Sequence, residues 1–387
     1  MKKILILLAV MAMFIAACGG SDEESTDTAD DGAAESSESD DAESDEAMEE
    51  DAESDEAMEE DAESDEAMEE EDDGAAAASD LDELNVAYFL EWPTPNQYEQ
   101  NQGLYSEELG IPVNWSDFAT GVEMSAAMAS GDIDIAYSQG LVPFVNAVTA
   151  GQDLKMIAIA VSYAENDNCV AATELGASRD NAAEVLDGAT VSVPVGTVAH
   201  YKMLKSMQFM GVDTDAFDIK NLDPAEGAAA LQGGSVDMAC GWGGGLQRML
   251  EAGNIMMTGS EMEEEIGLKV FDVISVTSEF AENHPDVIQQ FLAVTENANR
   301  AWDTNPDERI EGIVAETGGL DEAATLDVLS TFSFPDAESQ LSDTWFGNDV
   351  PVFMNEVAEL FVAEGALTSK LDDYSATIDT SYLEAMS

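Results

Sequence analysis

The chain has 387 residues, with 83 Asp and Glu against 12 Lys and Arg, a formal charge of −71 at pH 7. That balance excludes a phosphate backbone or an anionic membrane surface as a partner, so no nucleic acid is expected. The 45% of hydrophobic residues also excludes a wholly disordered chain. The acidity divides along the sequence. Residues 21–80 carry 31 acidic and no basic side chains, whereas residues 81–387 carry 52 acidic and 10 basic. About 300 residues remain for a folded body, enough for two lobes with cores of their own.

Lys2 and Lys3 precede the apolar run Ile4–Ala17, which is too short to span a bilayer comfortably. The run ends Ile15-Ala16-Ala17-Cys18-Gly19-Gly20. This resembles the lipobox of bacterial lipoproteins, an aliphatic residue and two small residues before the cysteine that takes the lipid. The resemblance implies a signal peptide over 1–17, a mature chain starting at lipidated Cys18, and a location outside the cytoplasmic membrane (periplasm or cell surface). Residues 18–80 are expected to form a disordered acidic tether. Within them the ten residues DAESDEAMEE occur three times in succession, from Asp41, Asp51 and Asp61. Such a segment cannot bury enough apolar area to offset its ordering entropy, and its charges repel.

The body alternates strand and helix patterns. Leu84–Leu90 reads as a buried strand, Asn96–Leu109 as a helix ended by Gly110, and Val113–Trp115 as a strand. Gly121–Ser130 is a helix stopped by Gly131, Asp132–Tyr137 a strand, Leu141–Ala150 a helix, and Lys155–Val161 and Cys169–Thr173 two further strands. The rhythm then restarts: a strand at Ala189–Val193, a helix at Ala199–Met210, a strand at Phe217–Leu222, a helix at Ala225–Gln232, and a turn and strand at Gly233–Cys240. Lys269–Val276 is a returning strand, followed by C-terminal helices from Pro285 onward. This pattern predicts parallel sheets covered by helices, arranged as two α/β lobes with a cleft between them.

Ala129-Ser130-Gly131-Asp132-Ile133-Asp134-Ile135-Ala136 resembles a signature of the periplasmic binding proteins of the taurine, aliphatic-sulfonate and nitrate class. Val191–Pro194 with Thr197–Tyr201, Asn221–Pro224, Leu231–Asp237 and Phe280–Val287 resemble the same family in order and spacing, closest to its taurine binders. The chain is thus identified as resembling a substrate-binding lipoprotein of an ABC importer. The resemblance implies a type II two-lobed α/β fold with a two-strand hinge, with crossings near Cys169–Ala172 and Val270–Val276. Lobe 1 would be 84–170 plus 274–387, and lobe 2 would be 171–273. A monomer that traps its ligand on closure and docks on the permease is expected.

Ligands in such folds meet loops that lead from strand ends into helix N-termini. Three loops qualify: Thr120-Gly121-Val122, Ser138-Gln139-Gly140-Leu141 and Val195-Gly196-Thr197-Val198. Together they suit an anionic head such as a sulfonate without Lys or Arg, although each Ser or Thr serves equally as a helix cap. Glu91 at the end of the first strand, and Asp272, suit an ammonium group. The resemblance implies the same for Asp272, whose position carries a carboxylate in the taurine binders. Trp92 and Trp242 offer ring faces to a cation or alkyl stem, or pack in the core. Trp242 matches a tryptophan of the taurine binders. The chain departs from them at Gly243-Gly244-Gly245, where exposed backbone would suit a bulkier or additional anionic group. Lys202 and Lys205 are expected to face solvent, and His200 is expected to be a satisfied surface or core histidine.

Cys169 and Cys240 remain after lipidation. The compartment permits a disulfide and both flank strands near the lobe junction, so a bridge and two buried thiols stay open. No Walker loop, HExxH, zinc-spaced Cys/His set or GxSxG occurs, so neither cofactor nor metal is expected. An enzyme on the same fold, of the thiamin-pyrimidine-synthase kind, carries a cysteine cluster absent here. The expected ligand is taurine or a near relative, with another sulfonate, a betaine-like zwitterion or nitrate as alternatives.

Overall fold

A computed structural model describes residues 81–387. The expected signal peptide, the lipidation site Cys18 and the acidic tether lie outside the described residues. In chain order the strands are β1 (Leu84–Phe89), β2 (Val113–Phe118), β3 (Ile135–Gly140), β4 (Leu154–Tyr163), β5 (Asn168–Ala172) and β6 (Thr190–Ser192). They continue with β7 (Asp218–Lys220), β8 (Met238–Gly241), β9 (Gly253–Ile255), β10 (Val270–Thr277) and β11 (Phe332–Ser333). Two sheets result, ordered β11-β4-β10-β3-β1-β2 and β7-β6-β8-β5-β9. Each is the core of one lobe.

The βα units form because their punctuation is local. Thr120 caps the helix Gly121–Ser130 with Glu123 bonding back, and Gly131 ends it at φ 81°. Asp223 and Glu226 close the same reciprocal box ahead of Pro224 on the helix Pro224–Gln232. The single helix expected over Asn96–Leu109 is instead two, Gln97–Gln102 and Leu104–Leu109, because Gly103 adopts a left-handed φ of 71° between them.

Both sheets are mixed rather than parallel. β1 runs parallel to β2 and β3, but β10 runs antiparallel to β3 and β4. The cause is the crossing between lobes. The chain leaves the first sheet at Tyr163, crosses through residues 164–167, and re-enters the first sheet as β10. Val270 pairs with Tyr163 and Thr277 with Leu154, so β10 lies along the whole of β4. Residues 168–170 therefore belong to the second sheet and 270–273 to the first, a few residues from the expected boundaries. The crossing precedes Cys169 because Asp167, at φ 60°, turns the chain just before β5.

The C-terminal helices cover the first sheet. The twenty-residue helix Pro285–Thr304 packs on Leu104–Leu109, and Asp349–Ala363 packs on Leu141–Thr149. In the second lobe a disulfide joins Cys169 of β5 to Cys240 of β8, directly opposite in the antiparallel register. Among the described residues no helix is long and apolar enough to cross a membrane.

Candidate functional site between the lobes

Phe89, Trp92, Gly121, Gly140, Pro143, Tyr163, Asp167, Thr197, Val198, Trp242 and Asp272 line a cavity with about 280 Å³ of empty space. Its walls come from both lobes. Three helices of nine residues or more begin at it: Gly121–Ser130, Leu141–Thr149 and Val198–Phe209. Their N-terminal amides and dipoles favour an anion where they begin. No Lys or Arg lines it among the described residues.

The chain comes close here because two positions lack a side chain. A Cβ on Gly121 would lie 2.9 Å from Pro143 Cγ, and one on Gly140 would lie 3.1 Å from Val198 Cγ2. These glycines let three helix starts converge.

The same cavity holds carboxylates and rings, with Asp272 paired to Gly140 across β10 and β3. Asp272, 2% exposed, accepts from Ser138 Oγ at 2.8 Å and from Tyr163 OH at 2.8 Å. Trp92 Nε1 donates to Ser138 Oγ at 3.0 Å, which orients the hydroxyl toward Asp272. Burial holds the Asp272 carboxyl well above the usual carboxylate range, and the negative charge of Asp167 adds to the effect. Asp167 is 3% exposed, and burial pushes it up to about 6 against the pull of Lys202. Trp92 meets Tyr163 edge-on with ring centres 5.1 Å apart, and Trp242 lies 6.1 Å from Phe89.

Three non-glycine residues among those described have positive φ: Glu91 at 55°, Ser138 at 62° and Asp167 at 60°. Glu91 follows β1 next to Trp92, Ser138 lies within β3 and bonds Asp272, and Asp167 is on the connector and lines the cavity. Backbone held in a sparsely populated region tends to gather at ligand sites.

The structure brings together Trp92, Ser138, Gly140, Thr197, Trp242 and Asp272, with Ser138 reaching the site through Asp272. Four other residues expected in the site are elsewhere. Glu91 forms a two-pronged ion pair with Arg248, both contacts at 2.8 Å, so its carboxylate is taken by the other lobe. Thr120 spends its hydroxyl on the Glu123 amide, and its neighbour Gly121 lines the cavity instead. Gln139 points into lobe 1, donating to Ser125 Oγ at 2.6 Å and accepting from Ser275 Oγ at 2.7 Å, since alternate residues of β3 face opposite ways. Val195 is 39% exposed, with its amide bonded to Asn221 Oδ1.

The glycine run is also not open backbone. Gly243–Gly245 begin the helix Gly243–Leu250 and are buried. A Cβ on Gly243 would lie 2.2 Å from Glu91 O, and one on Gly245 2.6 Å from Pro224 Cβ. The run thus lets the lobes touch and leaves no room for a bulkier group. Lys202, expected in solvent, is 1% exposed and donates to Ala164 O at 2.7 Å and Asn166 O at 3.0 Å, tying helix Val198–Phe209 to the connector. His200 accepts from Gly196 N at 3.2 Å, packs on Phe361, and is lowered by burial to about 4. Phe89, Pro143, Tyr163 and Asp167 line the cavity without having been expected there from the sequence. Val198 was expected only as the last residue of a helix-start loop, and the other four carry no local signal.

Two α/β lobes joined by crossing segments, with helix starts converging on a cavity between them, define the class: a two-lobed periplasmic-binding-protein fold. Residues 94–309 match the NMT1/THI5-like family, and the chain belongs to that family. It is similar to the taurine-binding periplasmic protein of Escherichia coli (strain K12), 24% identical over 295 residues, covering 75% of this chain and 89% of that protein. It is also similar to a putative aliphatic sulfonates-binding protein of Bacillus subtilis (strain 168), 23% identical over 269 residues, covering 69% and 76%. Among solved structures, the alkanesulfonate-binding protein SsuA from Xanthomonas axonopodis pv. citri bound to MOPS matches with a TM-score of 0.66 at 20% identity, covering 79% of this chain and 100% of that one.

Proposed function

We propose that this chain is the extracytoplasmic solute-binding component of an ABC importer, and that it captures taurine or a closely related aminosulfonate between its lobes for delivery to the permease. The observation that carries the reading is that the cavity lining combines groups for an anion with groups for a cation. Three helix N-termini and two buried carboxylates with aromatic faces meet in the one cavity. An anionic head and an ammonium group a short chain apart match that arrangement. The names of the similar proteins point the same way. Nitrate, lacking a cation, would leave the carboxylates without a counterpart.

In this reading the chain transports rather than catalyses. It works as a monomer outside the cytoplasmic membrane, anchored by lipid on Cys18, with residues 18–80 as the spacer to the body. Asp272 and the rings of Trp92 and Trp242 hold the ammonium side. Gly121, Gly140, Thr197 and Val198 present helix starts to the sulfonate. Calorimetric titration against taurine, isethionate, ethanesulfonate and glycine betaine tests it. Taurine is expected to bind most tightly; ethanesulfonate binding equally well would remove the cation from the argument.

A further inference from the structure

The two carboxylates of the cavity differ in what the protein already gives them. Both oxygens of Asp272 accept hydrogen bonds, Oδ1 from Tyr163 and Oδ2 from Ser138. Asp167 Oδ1 is buried and has no hydrogen-bond partner in the protein. The Tyr163 hydroxyl, which lies by both groups, has one proton and gives it to Asp272. Lys202 attracts Asp167 electrostatically, but its ammonium donates to the carbonyls of Ala164 and Asn166. A buried carboxylate oxygen without a donor is costly. The cost is borne at a residue in left-handed backbone, on the connector between lobes, lining the ligand cavity.

We propose that Asp167 is a ligand-binding residue in its own right, which accepts an N–H from a primary ammonium and makes the site select primary over quaternary ammonium sulfonates. The assignment rests on the reading of the cavity as an aminosulfonate site. A primary ammonium has three N–H donors. One satisfies Asp167 Oδ1, another is free for the remaining acceptor capacity of Asp272, and the rings of Trp92 and Tyr163 flank the charge. A trimethylammonium group has no N–H, leaves Asp167 Oδ1 unbonded, and adds three methyl groups to a small cavity. Sites built to hydrogen-bond a ligand reject analogues that lack the donor, because their own polar groups are then stranded.

The test is calorimetry with taurine, its N,N,N-trimethyl analogue and ethanesulfonate, on the wild-type chain and on Asp167→Asn. Asparagine tolerates left-handed backbone, so the turn into β5 is retained. The wild-type chain is expected to bind taurine at least about ten-fold more tightly than the trimethyl analogue. Asp167→Asn is expected to lose at least about ten-fold for taurine while its affinity for ethanesulfonate stays the same. Equal wild-type affinity for taurine and its trimethyl analogue would overturn the role of Asp167, even if the variant did not fold. So would a folded Asp167→Asn chain that binds taurine unchanged, or that weakens for ethanesulfonate in parallel. Absence of any taurine binding by the wild-type chain would instead overturn the aminosulfonate reading, and this inference with it.

Discussion

Glu91 of lobe 1 and Arg248 of lobe 2 meet in a bidentate ion pair, Nη1–Oε1 and Nη2–Oε2 both at 2.8 Å. Beneath it Gly244 N donates to Glu91 O at 3.3 Å, and Gly243 and Gly244 pack against the Glu91 backbone and carboxylate. Asn146 Nδ2 adds a second link across the cleft, to Gly196 O at 3.2 Å. These contacts hold the lobes together through residues that do not line the cavity.

Arg248→Ala should therefore act on release more than on capture. The pair is about one-third exposed, so its loss is expected to cost about 1 kcal/mol, a several-fold faster ligand dissociation. Stopped-flow measurement should find the association rate little changed and the wild-type dissociation rate rising with salt. An unchanged dissociation rate in the variant would show that the pair does not hold the closed lobes.

Gly243→Ala should oppose closure more severely. The added Cβ would fall 2.2 Å from Glu91 O, and the residue has a φ of 51°. The lobes are expected to fold but to stay apart. Small-angle scattering should show no compaction on adding ligand, with at least about ten-fold weaker affinity by the preorganisation argument.

Asp272→Asn removes the charge while keeping the shape. A zwitterionic ligand is expected to lose about 2–5 kcal/mol of affinity if the pair is fully desolvated, and an alkanesulfonate to lose little. Titration of both ligands separates a charge effect from general damage, since damage to the fold would weaken both.

Ligand affinity should rise with pH through the acid range. The Asp167 carboxyl, ordinarily near 3.8, is pushed up to about 6, with Lys202, Tyr163 and Asp272 around it. Between these values the folded, unliganded chain binds more protons than the unfolded one. This contribution to stability is thus fully present below about 4 and is lost as pH rises through about 6. An ammonium ligand favours the ionised carboxylate, so binding releases protons in that window and strengthens as pH rises. Calorimetry in buffers of different ionisation enthalpy at pH 5 should detect the released protons; their absence would detach Asp167 from the ligand.

The Cys169–Cys240 bridge closes a loop with a sequence separation of 71. Cutting it is expected to lower stability by about 2–4 kcal/mol, chiefly by freeing the unfolded chain. Denaturant melts with and without reductant should show the difference. Because the two cysteines are 5% and 0% exposed, reduction should be slow until the lobe opens.

The lobes and most of their elements were legible because their signals are local. Thr120 with Glu123, Asp223 with Glu226, and glycines such as Gly131 mark helix ends within a few residues. The resemblance in Ala129–Ala136 and Phe280–Val287 carried the two-lobed class. The same locality explains why Gly140, Thr197, Trp92, Trp242 and Asp272 could be chosen for the cavity, each standing at a strand end, at a helix start or in a matched motif.

The sequence by itself determined the acidity, the strand–helix rhythm, the helix starts that meet at the cavity and the family. The tertiary structure alone decided which carboxylates remain for a ligand. Glu91 and Arg248 are separated by 157 positions, Asp272 and Ser138 by 134. A carboxylate's availability depends on whether a donor reaches it across such distances, and nothing in the local pattern records that. Glu91 therefore belongs to the contact between lobes, Lys202 is buried under the connector, and Asp167 is left with an oxygen, Oδ1, that accepts no hydrogen bond from the protein.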